Sequence, residues 1–280
     1  MSWCAGMAAL SLCAVAGAQR GMIDDLAGGT GGDGGSGATL LGATRVVASW
    51  DFESEEDRLF GIPAGWFRSV HDPEGEDPTF RPGFPPFNLA QVSEVVGGAG
   101  GYAIEAPTKG GSASLMLARG RLVAMPGSDY MVTARVRTSG LEHAAARVGI
   151  RFVDGQLNPI EGAGEMSAPV RSEGGWATVR VPIEGHDEAA FIQLELQLVQ
   201  PEVLEPEALR AHEVRGEDFD GSAWFDDVVV YQVPRIDFHA AGAQNVVVSP
   251  DEPELTLRVQ DFTGERLVAD ASVYDVRGEL

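Results

Sequence analysis

From residue 129 to residue 234, apolar and polar residues alternate in one segment after another. Val132, Ala134 and Val136 alternate with Thr133, Arg135 and Arg137. Val148, Ile150 and Phe152 alternate with Gly149 and Arg151, and Val179 and Val181 with Thr178 and Arg180. Ile192, Leu194, Leu196 and Leu198 alternate with Gln193, Glu195 and Gln197. A side-chain period of two sends successive residues to opposite faces of an extended chain, so each segment reads as a half-buried strand. A more continuous run, FDDVVVYQV from Phe225, ends at Pro234. Gly, Pro, Asp and Ser bound these segments, as turns require. No long stretch carries a 3.6-residue stripe; residues 203–214 read as one short helix in a connection. The pattern predicts an all-β protein, an antiparallel β-sandwich.

The rest of the chain divides by texture. Residues 1–18 carry no charge, and Met7–Ala16 is an apolar run too short to span a bilayer. Ala16-Gly17-Ala18 supplies a small-x-small cleavage site, so 1–18 reads as a signal peptide. Residues 19–45 read as a glycine-rich linker, with GGTGGDGGSG at 28–37. The sandwich then occupies 46–234. Strand-like stretches resume in 235–280 and read as part of a second, immunoglobulin-like β-sandwich module. Export would place the mature chain in a secreted, periplasmic or cell-surface setting, with no membrane insertion. Both cysteines, Cys4 and Cys13, fall in the leader. The mature chain is therefore expected to lack disulfides and cysteine metal sites.

Lys and Arg number 20 against 42 Asp and Glu, a net charge of −22. That charge repels phosphate backbones and argues against nucleic-acid partners. The five histidines are scattered with no HExxH spacing, and neither a GxSxG elbow nor a P-loop is present. No constellation for catalysis emerges, and the chain is read as non-catalytic.

Several segments carry a family likeness. They are SWDFES at 49–54, Gly65-Trp66, DYMVTARVRTSG at 129–140, GGWATVRVPI at 174–183 and GSAWFDDVVVYQVP at 221–234. In that order they resemble the galactose-binding-like jelly rolls, especially carbohydrate-binding modules of the family 4, 9 and 22 types. The resemblance covers 46–234. It implies a jelly-roll sandwich with a structural calcium ion joining the first and last strands. The matching positions are Glu53 and Asp226, with Asp227 and Asp51 in reserve. Calcium takes six to eight hard oxygens, and carboxylates in an apolar strand would otherwise be costly. The alternative is that Asp226 caps turn amides or pairs with an arginine.

The resemblance also implies that sugar chains lie on the concave sheet face. If the alternating strands share a sheet, Arg135, Arg137, Arg147, Arg151, Thr178, Arg180, Gln193, Glu195 and Gln197 form one polar strip. Its arginines would suit uronic acids or sulfated sugars through paired hydrogen bonds. The alternative is a solvated face with Arg and Glu paired across strands. That strip has no evident aromatic, so stacking groups must come from loops, with Trp66 and Tyr102 as first choices beside Phe67, Phe80, Phe84 and Phe87. Residues 71–88 form a Pro-rich insertion that departs from the family pattern. The expectation is an exported, non-catalytic module that binds polysaccharide or glycan within a larger multidomain protein. The alternative is a structural or protein-interaction sandwich with no sugar site.

Overall fold

The structure is a computed structural model, and it describes residues 10–14, 44–69, 88–95, 101–201, 215–240, 255–260 and 269–273. The expected helix at 203–214, most of the Pro-rich insertion and the glycine-rich run lie outside those residues. In chain order the strands are β1 (Leu10–Ala14), β2 (Arg45–Trp50), β3 (Trp66–Arg68), β4 (Gln91–Glu94), β5 (Tyr102–Pro107), β6 (Ala113–Leu117), β7 (Leu122–Val123) and β8 (Asp129–Ser139). They continue as β9 (Ala145–Val153), β10 (Pro159–Met166), β11 (Ala177–Ile183), β12 (Phe191–Val199), β13 (Ser222–Val233), β14 (Arg235–Ala240), β15 (Leu255–Gln260) and β16 (Ala269–Val273). One six-residue helix, α1 (Glu55–Phe60), follows β2 and starts at a Ser54 cap whose hydroxyl accepts the Asp57 N–H.

The chain forms two compact units. One comprises Met1–Arg45 with Gln232–Leu280. In it β1 pairs antiparallel with β16, and β14 with β15. The other, Val46–Tyr231, is a jelly-roll β-sandwich of two antiparallel sheets. Its first sheet runs β10-β9-β12-β6-β3, with β7 also on β12. Its second runs β11-β8-β13-β5-β4, with β2 also on β13.

The alternation in the sequence is the alternation in burial. Val132, Ala134 and Val136 of β8, Val148, Ile150 and Phe152 of β9, and Ile192, Leu194, Leu196 and Leu198 of β12 meet in the shared core. Burying each of these side chains larger than alanine is worth about 1.5–3 kcal/mol. Tyr130 and Phe152 pack edge to face inside it, with ring centroids 5.9 Å apart.

A buried carboxylate ties two connections together. Asp218, wholly excluded from solvent, precedes β13, and its oxygens accept the backbone N–H groups of Glu142, His143 and Ala144. The Thr108 hydroxyl donates to the Asp218 carbonyl. Burial alone would raise the Asp218 pKa, but the amide hydrogen bonds outweigh it and hold the carboxyl below its ordinary value.

Candidate functional site: a cleft on the first sheet

The polar strip expected from the sequence is divided between two sheets. Arg135, Arg137, Thr178 and Arg180 lie on β8 and β11, whereas Arg147, Arg151, Gln193, Glu195 and Gln197 lie on β9 and β12. Alternation fixes which face a residue takes within its strand, but not which sheet takes the strand. The expectation of one continuous strip is corrected accordingly.

On the first sheet, cross-strand register sets Arg151 opposite Gln193, Gly149 opposite Glu195 and Arg147 opposite Gln197. Glu195 faces Met116 on its other side, and Met116 faces Phe67 of β3. Glu195 is deeply buried, its side chain 2% exposed, and Oε2 lies 3.1 Å from Arg151 Nη2. Its other oxygen accepts the Ser114 hydroxyl. The Arg151 side chain is 30% exposed. The carboxylate therefore acts inside the wall, holding a guanidinium whose outer part reaches solvent. Gln193 is equally enclosed, with its amide donating to the Leu117 carbonyl at 3.3 Å.

Beside this pair opens a cleft of about 410 Å³ between β9 and the bulged edge strand β10. The β10–β9 register shifts between Pro159 and Gly164. Gly162 sits inside that bulge at φ 72°, where a side chain would be strained. Glu161, Met166, Arg151 and Glu195 line the cleft, together with Glu165, whose partner in the register is the core residue Ile150, so its side chain takes the face opposite Met166. Gly149 lets the wall close, because a Cβ there would stand 2.7 Å from the Met166 methyl.

Four of the eight expected ligand residues share the β9–β12 part of this sheet: Arg151, Gln193, Glu195 and Gln197. The others do not join them. Trp66 points into the core, 4% exposed, and meets Trp50 edge to face at 5.3 Å. Its neighbour Phe67 takes the opposite face of β3, in register with Met116. Tyr102 starts β5 of the second sheet with the Arg58 guanidinium 4.7 Å from its ring centre. Arg135 and Arg137 lie over the rings of Trp176 and Trp224, at 4.8 and 5.4 Å. These guanidinium–indole stacks belong to the outer face of the second sheet.

The expected cation positions sit where β13 changes neighbours. Ser222–Phe225 pair with β5, and β2 also pairs with β13. Between the core residues Phe225 and Val228 stand two acids, and Asp227 has φ 47°. This is a bulge geometry that a non-glycine residue adopts only when neighbours hold it. The Asp227 N–H donates to Asp226 Oδ1 at 2.7 Å, and Asp227 Oδ2 lies 3.1 Å from Arg135 Nη1. Glu53, just beyond β2, accepts the Tyr102 N–H at 2.8 Å. Asp51 Oδ1 accepts the Glu53 N–H at 3.2 Å. Burial, with added repulsion from Asp227 and Glu53, pushes the Asp226 pKa up to about 6, despite the Asp227 amide and Arg135.

Among the described residues no group of three His, Cys, Asp or Glu is placed to hold a metal. Asp227 is committed to Arg135, and Glu53 accepts the Tyr102 N–H. A cation held by Glu53 and Asp226 would need backbone oxygens to complete its shell. It does not fit a site built from side chains alone.

Among solved structures, the chain is similar to the following three. The CBM22-1 and GH10 modules of Clostridium thermocellum xylanase 10B, complexed with xylohexaose, share 15% identity over 67% of this chain and 28% of that one, with a TM-score of 0.40. The CBM22-1 xylan-binding domain of Paenibacillus barcinonensis Xyn10C shares 12% over 68% of this chain and 96% of that one, at 0.41. The K1 cleaved adhesin domain of Porphyromonas gingivalis Lys-gingipain shares 12% over 68% and 98%, at 0.35. The chain thus spans little more than a quarter of the xylanase structure but nearly all of the isolated modules. No family model and no curated protein matches it. Among the described residues no helix is long and apolar enough to cross a membrane.

Proposed function

We propose that this chain is a non-catalytic carbohydrate-binding module that takes a polysaccharide or glycan into the cleft between β9 and β10. One observation carries the reading: the Arg151–Glu195 pair stands in the wall of a 410 Å³ cleft. A guanidinium fork held rigid by a buried carboxylate offers donors to vicinal hydroxyls. The Met166 thioether offers an apolar surface to sugar C–H groups, and Phe67 extends that surface along the sheet. Gln193 and Glu195 are sealed in the wall, and Glu195 positions Arg151. The test is titration of the intact chain with neutral oligosaccharides, xylohexaose among them. Binding that Arg151→Ala removes without loss of folding supports the reading; a folded protein that binds none of them refutes it.

A second reading has its own support, since the burial of Gln193 and Glu195 is also what a purely structural network needs. In that case the sandwich is a structural or protein-interaction module, and the same titration separates the two.

Two further parts of the proposal rest on sequence texture. The chain is exported through the segment 1–18 and acts as one module of a larger multidomain protein, with 235–280 belonging to an immunoglobulin-like neighbour. Detection of the mature amino terminus by mass spectrometry after expression with the leader tests the first. We also propose a structural calcium ion at the β2–β13 junction, held by Glu53 and Asp226. Asp227 braces the bulge through Arg135. Calcium added to chelator-treated protein should raise its melting temperature, and an unchanged melting curve would remove the site.

A further inference from the structure

We infer that the outer face of the second sheet is a second binding surface for neutral polysaccharide, separate from the β9–β10 cleft and built around Trp176 and Trp224. The inference shares only the class of ligand with the proposed function, and it goes beyond it by giving the sandwich two sugar faces. Alternation in β8 and β13 sends Val136, Ala223 and Phe225 into the core and leaves Arg135, Arg137 and Trp224 outside. Trp176 stands one step before Ala177, whose partner is Val136, so the register carries it to the side of Arg137. Trp224 pairs with Glu105 of β5, and Glu105 with Gln91 of β4.

Trp176, Arg137, Trp224, Glu105 and Gln91 thus form one row across β11, β8, β13, β5 and β4, and none of them is buried. Four strand spacings make the row roughly 19 Å long, a length for a chain of sugars rather than a single ring. The Arg135 guanidinium lies 4.8 Å from the Trp176 ring centre, and that of Arg137 5.4 Å from the Trp224 ring centre. Stacking engages a guanidinium's flat face, while its N–H donors lie in its plane. Arg135 also faces Asp227 at 3.1 Å, which fixes the first stack further. Exposed Arg180, opposite Thr133, brings another guanidinium to the same face beyond Thr178. Glu105, which accepts the Ser222 hydroxyl at 2.9 Å, brings a carboxylate. On this part of the face Arg135, Arg137 and Arg180 are matched by Glu105, Asp226 and Asp227, so an acidic chain gains no advantage. Sugar hydroxyls donate and accept at once and use both kinds of group, while the half-buried indoles offer apolar surface to C–H groups.

The experiment is calorimetric titration of the full chain with xylohexaose, in the wild type, in Arg151→Ala and in Trp176→Ala/Trp224→Ala. The wild type should bind two molecules per chain, the second more weakly, because an open face encloses less of a ligand than a cleft. Arg151→Ala should remove the tighter event and keep the weaker. The double tryptophan variant should do the reverse, with the tighter affinity within about twofold of wild type, since the two faces share no partners. Should the double variant melt early, Trp176→Ala alone, beside the edge strand β11, should weaken the second event several-fold. A single event that Arg151→Ala abolishes, or two events that the tryptophan substitutions leave unchanged, overturns the second face and leaves the cleft standing. A single event that survives Arg151→Ala and is lost with the tryptophans supports the second face and overturns the cleft. A folded wild type that does not bind xylohexaose overturns both.

Discussion

Arg151 Nη2 and Glu195 Oε2 face each other at 3.1 Å across adjacent strands, with the carboxylate sealed and the guanidinium partly open to solvent. The asymmetry decides what each substitution does. Arg151→Ala strands a buried charge, and Glu195→Ala leaves a guanidinium and the Ser114 hydroxyl without their acceptor. Each should cost about 2–4 kcal/mol. Replacing both by apolar residues of similar volume should cost much less than the two single changes added together. Urea denaturation of the four proteins measures the coupling.

Trp66 and Phe67 should separate stability from binding. Trp66→Ala opens a cavity in the core and should cost about 3–5 kcal/mol. Phe67→Ala removes a half-buried ring from the cleft side and should cost about 1 kcal/mol or less. Under the proposed function Phe67→Ala also weakens oligosaccharide binding several-fold. A variant that binds as the wild type does would take Phe67 out of the site.

Asp218 predicts acid lability. Its folded pKa lies below the unfolded value near 3.9, so its contribution is complete above that value. It is lost as pH falls through the lower, folded value. Asp218→Asn should cost about 2–4 kcal/mol at neutral pH, because three amides lose a charged acceptor. The difference from wild type should narrow in strong acid, as thermal melts at several pH values will show.

Asp226 predicts the opposite slope. With its pKa pushed up to about 6, the folded state holds the proton more tightly than the unfolded state. Without divalent cations, stability should therefore decline as pH rises from about 4 to about 6. Asp226→Asn should be more stable than wild type at pH 7 by about 1 kcal/mol, after allowance for its partial exposure. With calcium present the order should reverse, because the variant gains nothing from the ion. A wild type that responds to neither pH nor calcium in this range would contradict the argument.

Local pattern made the strands legible. The alternations beginning at Val132, Val148, Val179 and Ile192 each became β8, β9, β11 and β12 with the expected inward side chains. Sheet membership was not legible, because it depends on pairings such as Arg151 with Gln193 that no single segment encodes. For the same reason Arg135 and Arg151 looked like one strip and are two. The pair Trp66-Phe67 shows the limit of a three-residue strand, where too few alternating positions exist to fix which aromatic faces in. The Asp226-Asp227 doublet reads in the sequence as carboxylates within one apolar strand, and the pairing of β13 with β2 depends on residues far away in sequence. Asp218 gave no signal at all: in GEDFDG it looks like an exposed turn acid. The β10 wall was equally silent, since IEGAGEM has the texture of a loop until the bulge gives it a register.

The junction at Asp226-Asp227 has a kinetic consequence. β13 is the last strand of the sandwich and borders β5 at one end, while it also pairs with β2, the first. The second sheet is therefore completed by pieces from opposite extremes of the Val46–Tyr231 unit. During synthesis the opening strand must wait, unpaired along that edge, until almost the whole unit has left the ribosome. Closing so large a loop is entropically slow, and the sandwich should assemble as a late, all-or-none zip at its seam.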